Sequence, residues 1–179
     1  MPLNWLAGAA AHAARRVERL KREESVEALR ARPMWARTAF EPAPVFVPGA
    51  RITEIRFADP EKGLLVPRER ATETEAVRLA VEAERNGSGA VALFVERNFH
   101  AGDYLHLDAV RVACPNLFLI ARDLLVDPWQ IERVRAGGAD AIELIPELLG
   151  PALPATAAAI RDMGLTPVIF GPGLTVRAA

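Results

Sequence analysis

From Arg51 onward the sequence alternates between short apolar segments and longer amphipathic ones, and this alternation constrains the fold more than any other feature. The short segments have the length of strands, and the longer ones have helical periodicity. The predicted strands are residues 52–57, 90–95, 117–121, 141–145 and 167–170, and the predicted helices are 72–86, 103–113, 127–136 and 152–163. Strands that alternate with helices form a parallel sheet with right-handed crossovers. The sequence therefore predicts an α/β fold.

Local signals support the predicted helix boundaries. Thr72 precedes Glu75 with the spacing of a capping box, and Asp127 supplies an N-cap that is followed by Pro128 at the first helical position. Glycines stand where the helices should end: Gly87, Gly137, Gly138 and Gly164. Each strand and helix of the repeating pattern is thus separated by residues that suit a turn.

Five βα units are too few for a closed eight-stranded barrel, which takes about 200 residues at least. Three arrangements remain open at this point. The strands could form an open, partly rolled sheet, or a flavodoxin-like sandwich, or a partial barrel whose missing wall is supplied by a second copy of the chain.

The segment before the repeating pattern has a different character. Residues 3–31 contain no proline and are predicted to form one long amphipathic helix, with an apolar face made of Leu6, Ala10, Ala13, Val17 and Leu20. Pro33 ends this helix, and residues 32–49 read as a proline-rich linker that Trp35 and Phe40 hold against the body. The chain accordingly divides into a helix and linker, residues 1–50, and a barrel-like domain, residues 51–179.

Composition excludes several classes of function. The chain has 22 basic and 23 acidic residues and a net charge of -1, without a long run of either sign, so no nucleic-acid partner and no membrane-surface partner are expected. No segment reaches the roughly 20 apolar residues of a membrane span. The apolar stretch from residue 6 to 14 lacks a basic leader, so no signal peptide is expected. The single cysteine, Cys114, allows no internal disulfide and no metal cluster, which suggests a cytoplasmic protein without a metal or other cofactor.

Charged residues in and after the predicted strands mark the candidate site, because sites in parallel α/β folds form at the carboxyl ends of the strands. Glu54, Arg56, Arg122 and Glu143 are the informative ones, since a charge in a short buried strand is costly unless it is paired. They are expected to form one polar network, which could be either a ligand site or a set of mutual ion pairs. His100 is a further ligand-binding candidate, although both His100 and His106 are expected at the surface.

Several motifs resemble one enzyme family. The run ITEIRFADPEKG at residues 52–63 resembles the AEIKKASPSKG signature of indole-3-glycerol phosphate synthase, a (β/α)8 barrel of tryptophan biosynthesis. The run RDLLVDPWQ at 122–130, followed by RAGGADA at 135–141, resembles the family's KDFIxDPYQ and RAAGADA segments. FHAGD at 99–103 resembles its FxGS loop, and KREE at 21–24 is similar to its N-terminal extension. The resemblance implies a partial TIM-type barrel of about five βα units with an N-terminal helical extension.

The resemblance also implies a set of catalytic positions. The family closes an indole ring by decarboxylation and dehydration of a carboxyphenylamino deoxyribulose phosphate, with a lysine general acid on strand three, a lysine on strand one, and glutamates on strands one and five. Glu54 matches the first glutamate, whereas Arg56 and Arg122 stand at the two lysine positions and Phe170 stands at the second glutamate. Arginine, with a pKa above about 12, holds its proton too tightly to act as an acid.

The remaining departures also fall on functional positions. Asp59 and Glu61 stand where the family has two serines, and Leu124 stands where it has an aromatic residue. We therefore interpret the chain as a family member that lacks ring-closing activity and serves as a ligand-binding or protein-interaction module. A ligand would be a carboxylate- or phosphate-bearing small molecule held by Arg56 and Arg122, and a homo-oligomer is expected. The alternative is an active synthase, or a related carboxy-lyase, with altered catalytic residues.

Overall fold

The computed structural model describes residues 3–170 and 177–178 of the chain, with side chains from residue 6 to residue 170. One parallel sheet contains β1 (Ile52–Ile55), β4 (Ala90–Phe94), β5 (Phe118–Arg122), β6 (Ala141–Glu143), β7 (Thr166–Val168) and β8 (Arg177–Ala178). A short antiparallel hairpin, β2 (Ala58–Asp59) and β3 (Gly63–Leu64), follows β1.

The helices alternate with the strands of the sheet as the sequence predicts. They are α1 (Leu3–Glu23), α2 (Val26–Arg30), α3 (Glu73–Arg85), α4 (Arg97–His100), α5 (Tyr104–Ala113), α6 (Trp129–Ala136), α7 (Pro146–Leu149) and α8 (Leu153–Asp162). Three short 3-10 helices lie at Pro33–Ala36, Arg68–Arg70 and Gly150–Ala152. No helix within the described residues is both long enough and apolar enough to cross a membrane.

The strand order excludes one of the three arrangements that the sequence leaves open. The sheet runs β7-β6-β5-β4-β1-β8, so the strands from β1 to β7 are neighbours in chain order. A flavodoxin-like sheet reverses direction after its first strands and has the order 2-1-3-4-5. The flavodoxin-like alternative is therefore wrong, and the predicted partial barrel, wound in one direction, is confirmed.

The two faces of the sheet have different neighbours. The outer face packs against the helices, with Val91, Leu93 and Leu119 fully buried in the larger core. The inner, concave face carries a smaller apolar cluster: Ile52, Ala90, Ala92, Phe118, Ile120, Ala141 and Val168, with Phe170 packed against it. Val45 from the linker is buried in this inner cluster, so the linker covers part of the concave face.

The prediction of a single helix over residues 3–31 is wrong. The first helix ends at Glu23, and Ser25 begins a second one, its hydroxyl accepting a hydrogen bond from the Ala28 backbone N–H at 3.3 Å. Serine competes for backbone hydrogen bonds and is favoured at an N-cap over a helix interior. The break turns the chain so that Leu29 is fully buried against the body and the indole N–H of Trp129 donates to the Glu24 carbonyl at 3.0 Å.

The linker is held at the amino end of β6, where Asp140 is fully buried. The Asp140 carboxylate accepts the backbone N–H of Phe40 at 2.9 Å and also binds the guanidinium of Arg37. Its other oxygen accepts from Arg111 at 2.6 Å. Trp35 lies under the guanidiniums of two further arginines. Trp35 and Phe40 therefore do hold the linker to the body, with Asp140 as the central acceptor.

Candidate active site at the strand ends

Five charged side chains at the carboxyl ends of the strands form a continuous row of alternating charge, called here the ion-pair ladder: Glu143, Arg122, Glu54, Arg56 and Asp59. Arg122 donates to Glu143 from Nε to Oε2 at 2.6 Å and from Nη2 to Oε1 at 2.8 Å, and from Nη1 to Glu54. Arg56 then lies with Nε 3.0 Å from Glu54 Oε1 and Nη1 2.7 Å from Asp59 Oδ2. The prediction that Glu54, Arg56, Arg122 and Glu143 form one polar network is confirmed, and Arg122 pairs with both Glu54 and Glu143.

Strand register explains how residues so far apart in sequence meet. Arg122 and Glu143 are the last residues of the neighbouring strands β5 and β6. Glu54 lies on β1, with β4 between it and β5, and its register partner on β4 is Ala92. Because Ala92 has only a methyl group, the guanidinium of Arg122 has room to extend across β4 to Glu54. The small side chain of Ala92 on the inner face thus leaves space for the ion pair between Arg122 and Glu54.

Aromatic rings complete the surroundings of Arg122. Its guanidinium carbon lies 4.2 Å from the ring centroid of Phe94 and 4.9 Å from that of Phe170. Both distances fall within the range of cation–π attraction. The resemblance places Phe170 at the family's strand-five glutamate, so an aromatic ring contacts the guanidinium at the position where the resemblance would place a carboxylate.

The ladder has no excess of positive charge at the strand ends. It contains three carboxylates and two guanidiniums, and all three nitrogens of the Arg122 guanidinium are bonded to Glu54 or Glu143. The side chains of Glu54, Arg122 and Glu143 are only 10%, 15% and 9% exposed. An anion that approached Arg122 would have to compete with carboxylates that already occupy its hydrogen-bonding directions.

The prediction that His100 lies at the surface is wrong. Its ring is buried and stacks on Phe94 with 4.0 Å between centroids, and Nδ1 lies 3.2 Å from Glu96. Glu96 also accepts the backbone N–H groups of Asn98 and Phe99, each at 2.7 Å. Burial alone would raise the pKa of Glu96, but the hydrogen bonds from His100 and these amides outweigh it, so the pKa lies below its ordinary value. His100 is one aromatic contact away from Arg122 and is held by Glu96.

His106 is likewise buried, against the surface expectation. Its ring meets Phe57 edge to face, with 5.3 Å between centroids. Burial lowers the pKa of His106. This ring lies in the helix-facing core and takes no part in the ladder.

A second buried polar cluster lies beneath α1, and the sequence reasoning missed it. Arg16 donates to the carbonyl of Val95, the residue after β4, at 2.8 Å, and its Nη1 lies 3.6 Å from Asp123 Oδ1. Tyr104 donates its hydroxyl to Asp123 Oδ2 at 2.5 Å, and Gln130 donates to the same oxygen at 2.8 Å. Burial raises the pKa of Asp123 even though Arg16 opposes the shift. The spacing of Arg16 from the buried Ala9 and Ala13, on one helix face, was the available signal.

In the part of the chain that the structure describes, no group of three or more His, Cys, Asp or Glu side chains could hold a metal ion. The three carboxylates of the ladder are bound by arginines.

Comparison with known proteins now adds to this geometry. The model of the family described as Indole-3-glycerol phosphate synthase matches residues 11–169. The chain belongs to this family. The matched range contains all five ladder residues.

Individual indole-3-glycerol phosphate synthases are also similar in sequence to this chain. The protein of that name from Aromatoleum aromaticum is 36% identical over 129 residues, which cover 72% of this chain and 45% of that protein. The Roseiflexus sp. (strain RS-1) protein is 34% identical, covering 55% of this chain and 36% of that protein. The chloroplastic protein from Arabidopsis thaliana is 31% identical, covering 55% of this chain and 23% of that protein. The chain thus matches less than half the length of each of these relatives.

Proposed function

We propose that this chain is an indole-3-glycerol phosphate synthase family member that does not close the indole ring and acts as a protein-interaction module. One observation carries the proposal. Arg122 stands where the resemblance places the lysine general acid, and each nitrogen of its guanidinium is bonded to Glu54 or Glu143.

A general acid must release a proton to the reacting group, and general acid catalysis is worth roughly a hundredfold to ten-thousandfold in rate. Arginine, with a pKa above about 12, does not release its proton near neutral pH. Phe170 has no carboxyl group that could replace the second glutamate. The family's chemistry therefore lacks both its general acid and its second carboxylate at these two positions.

The ladder also argues against a carboxylate- or phosphate-bearing ligand held by Arg56 and Arg122. To bind Arg122, such a ligand would have to displace Glu54 or Glu143 and leave a largely buried carboxylate without this partner. Removing one partner of a buried ion pair typically costs about 3 to 5 kcal/mol. A protein partner that leaves the ladder intact avoids this cost, which favours the interaction module over the small-molecule site.

We also propose that the chain forms a homo-oligomer, most simply a two-fold dimer. β7 is the last strand of the sheet, and no described strand pairs with its outer edge. Apolar side chains lie exposed near the concave face, with Phe46 38%, Val47 49% and Ile169 52% exposed. Unpaired edges and exposed apolar side chains favour association. Sedimentation velocity at tens of micromolar should show a dimer that Ile169→Asp weakens, and a wild-type monomer would contradict this proposal.

Turnover of the carboxyphenylamino deoxyribulose phosphate tests the absence of activity directly. We expect no indole fluorescence above that of a mock purification, with the Aromatoleum aromaticum synthase assayed in parallel as the positive control. Arg56→Lys combined with Arg122→Lys should not restore activity, because Phe170 remains. Fluorescence that appears with the wild-type chain and is abolished by Glu54→Gln would support the alternative, an active synthase or related carboxy-lyase with altered catalytic residues.

A further inference from the structure

Three arginines surround a single carboxylate at the amino ends of β6 and β7, at the opposite end of the sheet from the ladder. This group, called here the amino-end cluster, consists of Arg37, Arg111, Arg135 and Asp140. Arg37 and Arg111 both bond the Asp140 carboxylate. Both also donate to the Gly138 carbonyl, at 3.0 and 2.8 Å, and Arg135 donates from Nη2 to the Arg37 carbonyl at 3.3 Å. The cluster therefore holds three positive charges and one negative charge.

Arg135, in the last turn of α6, is the member of the cluster without a carboxylate partner. In the part of the chain that the structure describes, every other arginine that is buried or half-buried forms an ion pair with a carboxylate. Glu132 is the nearest attractive charge, but Arg30 binds both of its oxygens, at 2.6 and 3.1 Å. Residues 1–5 and 171–179 contain no aspartate or glutamate, so no side-chain carboxylate there can supply the missing partner.

The guanidinium of Arg135 is partly enclosed by described elements. Its carbon lies 5.3 Å from the ring centroid of Trp35, and a Cβ at Gly164, in the turn between α8 and β7, would lie 3.7 Å from Nη1. Burial and the charge of Arg37 lower the pKa of Arg135. The same two causes, opposed by Asp140, lower the pKa of Arg111. Both causes raise the free energy of the charged guanidinium, and a bound anion would offset them.

Two guanidiniums of the cluster have donors left for a ligand. Nε and Nη1 of Arg135 make no hydrogen bond to the described chain. Nη1 of Arg37 donates to the carbonyl of the next residue, Thr38, at 2.9 Å in an exposed position. Because Arg135 bonds the carbonyl of Arg37 itself, the two side chains meet at neighbouring peptide groups. Nε of Arg37 is in addition buried without a partner, and an unsatisfied buried donor is one sign of an ion that the structure lacks.

Attachment of the linker does not explain the third arginine. Arg37 and Arg111 hold the linker through Asp140, and they balance its charge with one positive charge to spare. Arg135 adds one hydrogen bond to this attachment, which a neutral donor could also make, and a second unbalanced charge. The excess of two positive charges matches a phosphate group, which carries a charge of about -1.5 to -2 at pH 7. A single carboxylate would neutralise only half of it.

We propose that the amino-end cluster binds the phosphate group of a small molecule, with oxygens that accept from Arg135 and from Nη1 of Arg37. Guanidinium groups suit this role because their planar forks match the spacing of phosphate oxygens. The site is separate from the ladder and independent of the proposed function, because it needs neither ring closure nor its absence.

The test is a titration of the whole isotope-labelled chain at constant ionic strength, with chloride as the balancing ion. The indole N–H signal of Trp35 and the Nε–H signal of Arg135 should shift saturably with phosphate in the millimolar range. Inorganic phosphate and glycerol phosphate are titrated separately, and the tighter of the two shows whether the site takes free phosphate or a phosphate monoester. Acetate, with one negative charge, should bind at least about threefold more weakly than either.

Arg135→Gln removes the unpaired charge and should weaken phosphate binding by about tenfold or more. This change leaves no carboxylate without a partner, so the variant should keep the fold, which its amide spectrum checks. Arg135→Lys keeps the charge but loses the fork, and its affinity should lie between those of the wild type and Arg135→Gln. The matched control is Arg85→Gln, at an exposed arginine in the last turn of α3, and it should change the affinity less than about twofold.

Several results would overturn the site. They are the absence of saturable shifts up to about 50 mM phosphate, equal shifts with chloride alone, acetate that binds as tightly as phosphate, and unchanged affinity in Arg135→Gln. Phosphate shifts confined to the ladder residues would also overturn it, because they would assign the binding to the other end of the sheet. Turnover in the synthase assay bears on the proposed function alone, so the two failures are distinguishable.

Discussion

Arg122 and Glu143 are joined by two parallel hydrogen bonds, Nε to Oε2 at 2.6 Å and Nη2 to Oε1 at 2.8 Å, at the last residues of the adjacent strands β5 and β6. Paired hydrogen bonds of this kind fix the orientation of both groups as well as their distance. A lysine has no planar fork and could not make the same contact. The replacement at this position therefore changes the geometry of the strand ends as well as the acidity of one group.

Removal of the Arg122 guanidinium should destabilise the chain. Arg122→Met leaves Glu143 largely buried without a cation and leaves Glu54 with Arg56 as its remaining partner. We expect the free energy of unfolding to fall by about 3 to 5 kcal/mol. Urea denaturation followed by circular dichroism gives this value. If Arg122→Met were as stable as the wild type, the ladder would not hold the strand ends together.

A triple variant separates loss of the ion pairs from loss of packing. Glu54→Gln, Arg122→Met and Glu143→Gln together remove the charges on both sides, so the triple variant should be more stable than Arg122→Met alone. Equal stability would assign the loss to the packing of the arginine on Phe94 and Phe170 instead.

The stability of the chain at acid pH should depend on Glu96. Its folded-state pKa lies below the ordinary value of 4.5, so on acidification the unfolded chain takes up the proton first. The stabilisation by the carboxylate is therefore complete above about pH 4.5 and is lost as the pH falls through the folded-state pKa. Glu96→Gln should lower the free energy of unfolding at pH 7 by about 1 to 3 kcal/mol, because an NH2 donor replaces one of the two carboxylate oxygens that accept backbone N–H groups.

The same variant should also show a shallower loss of stability below pH 4.5 than the wild type. Urea denaturation at a series of pH values measures both effects. Glu147→Gln, at an exposed residue outside this cluster, is the control and should follow the wild-type curve. An unchanged acid slope in Glu96→Gln would show that other carboxylates dominate acid unfolding.

Arg16 should control how firmly α1 is attached to the strand ends. Arg16→Met removes the hydrogen bond to the Val95 carbonyl and leaves Asp123 without its cation, while the apolar contacts of Ala9 and Ala13 with Leu124 remain. A hydrogen bond from a charged group contributes about 1.5 to 3 kcal/mol, so the amides of α1 should exchange about ten to a hundred times faster. Hydrogen exchange read by mass spectrometry tests this, with Arg15→Met at the exposed neighbouring residue as control. Equal exchange in both variants would contradict the prediction.

The sequence pattern predicts those features that depend on local chemistry. Strand and helix positions follow from periodicity, and the Thr72 hydroxyl accepts the Glu75 backbone N–H at 3.3 Å as its capping box predicts. The pairing of Arg122 could be predicted because a guanidinium in an inward strand position cannot lose its charge. The end of α1 at Glu23 could not be predicted from the sequence, because the apolar periodicity continues across Ser25.

Features that depend on contacts between distant residues could not be predicted from the sequence pattern. His100 is buried because Glu96 binds its ring and Phe94 stacks on it, and nothing in the local sequence distinguishes it from a surface histidine. The participation of Phe170 in the surroundings of Arg122 requires the curvature of the sheet. The choice between ion pairs and a ligand site at Glu54 and Arg56 likewise needed side-chain geometry.

The attachment of the linker to Asp140 has a consequence for the order in which the chain folds. Arg37 precedes its carboxylate partner by 103 residues, and Phe40 precedes the same carboxylate by 100. At about 5 to 20 residues per second, a ribosome needs roughly 5 to 20 s to extend the chain over that interval. During this time Arg37 and Phe40 have no carboxylate to bind. The linker is therefore not yet fixed, and it does not yet hold Val45 against the inner face of the first strands. The N-terminal segment is thus made first and attached late.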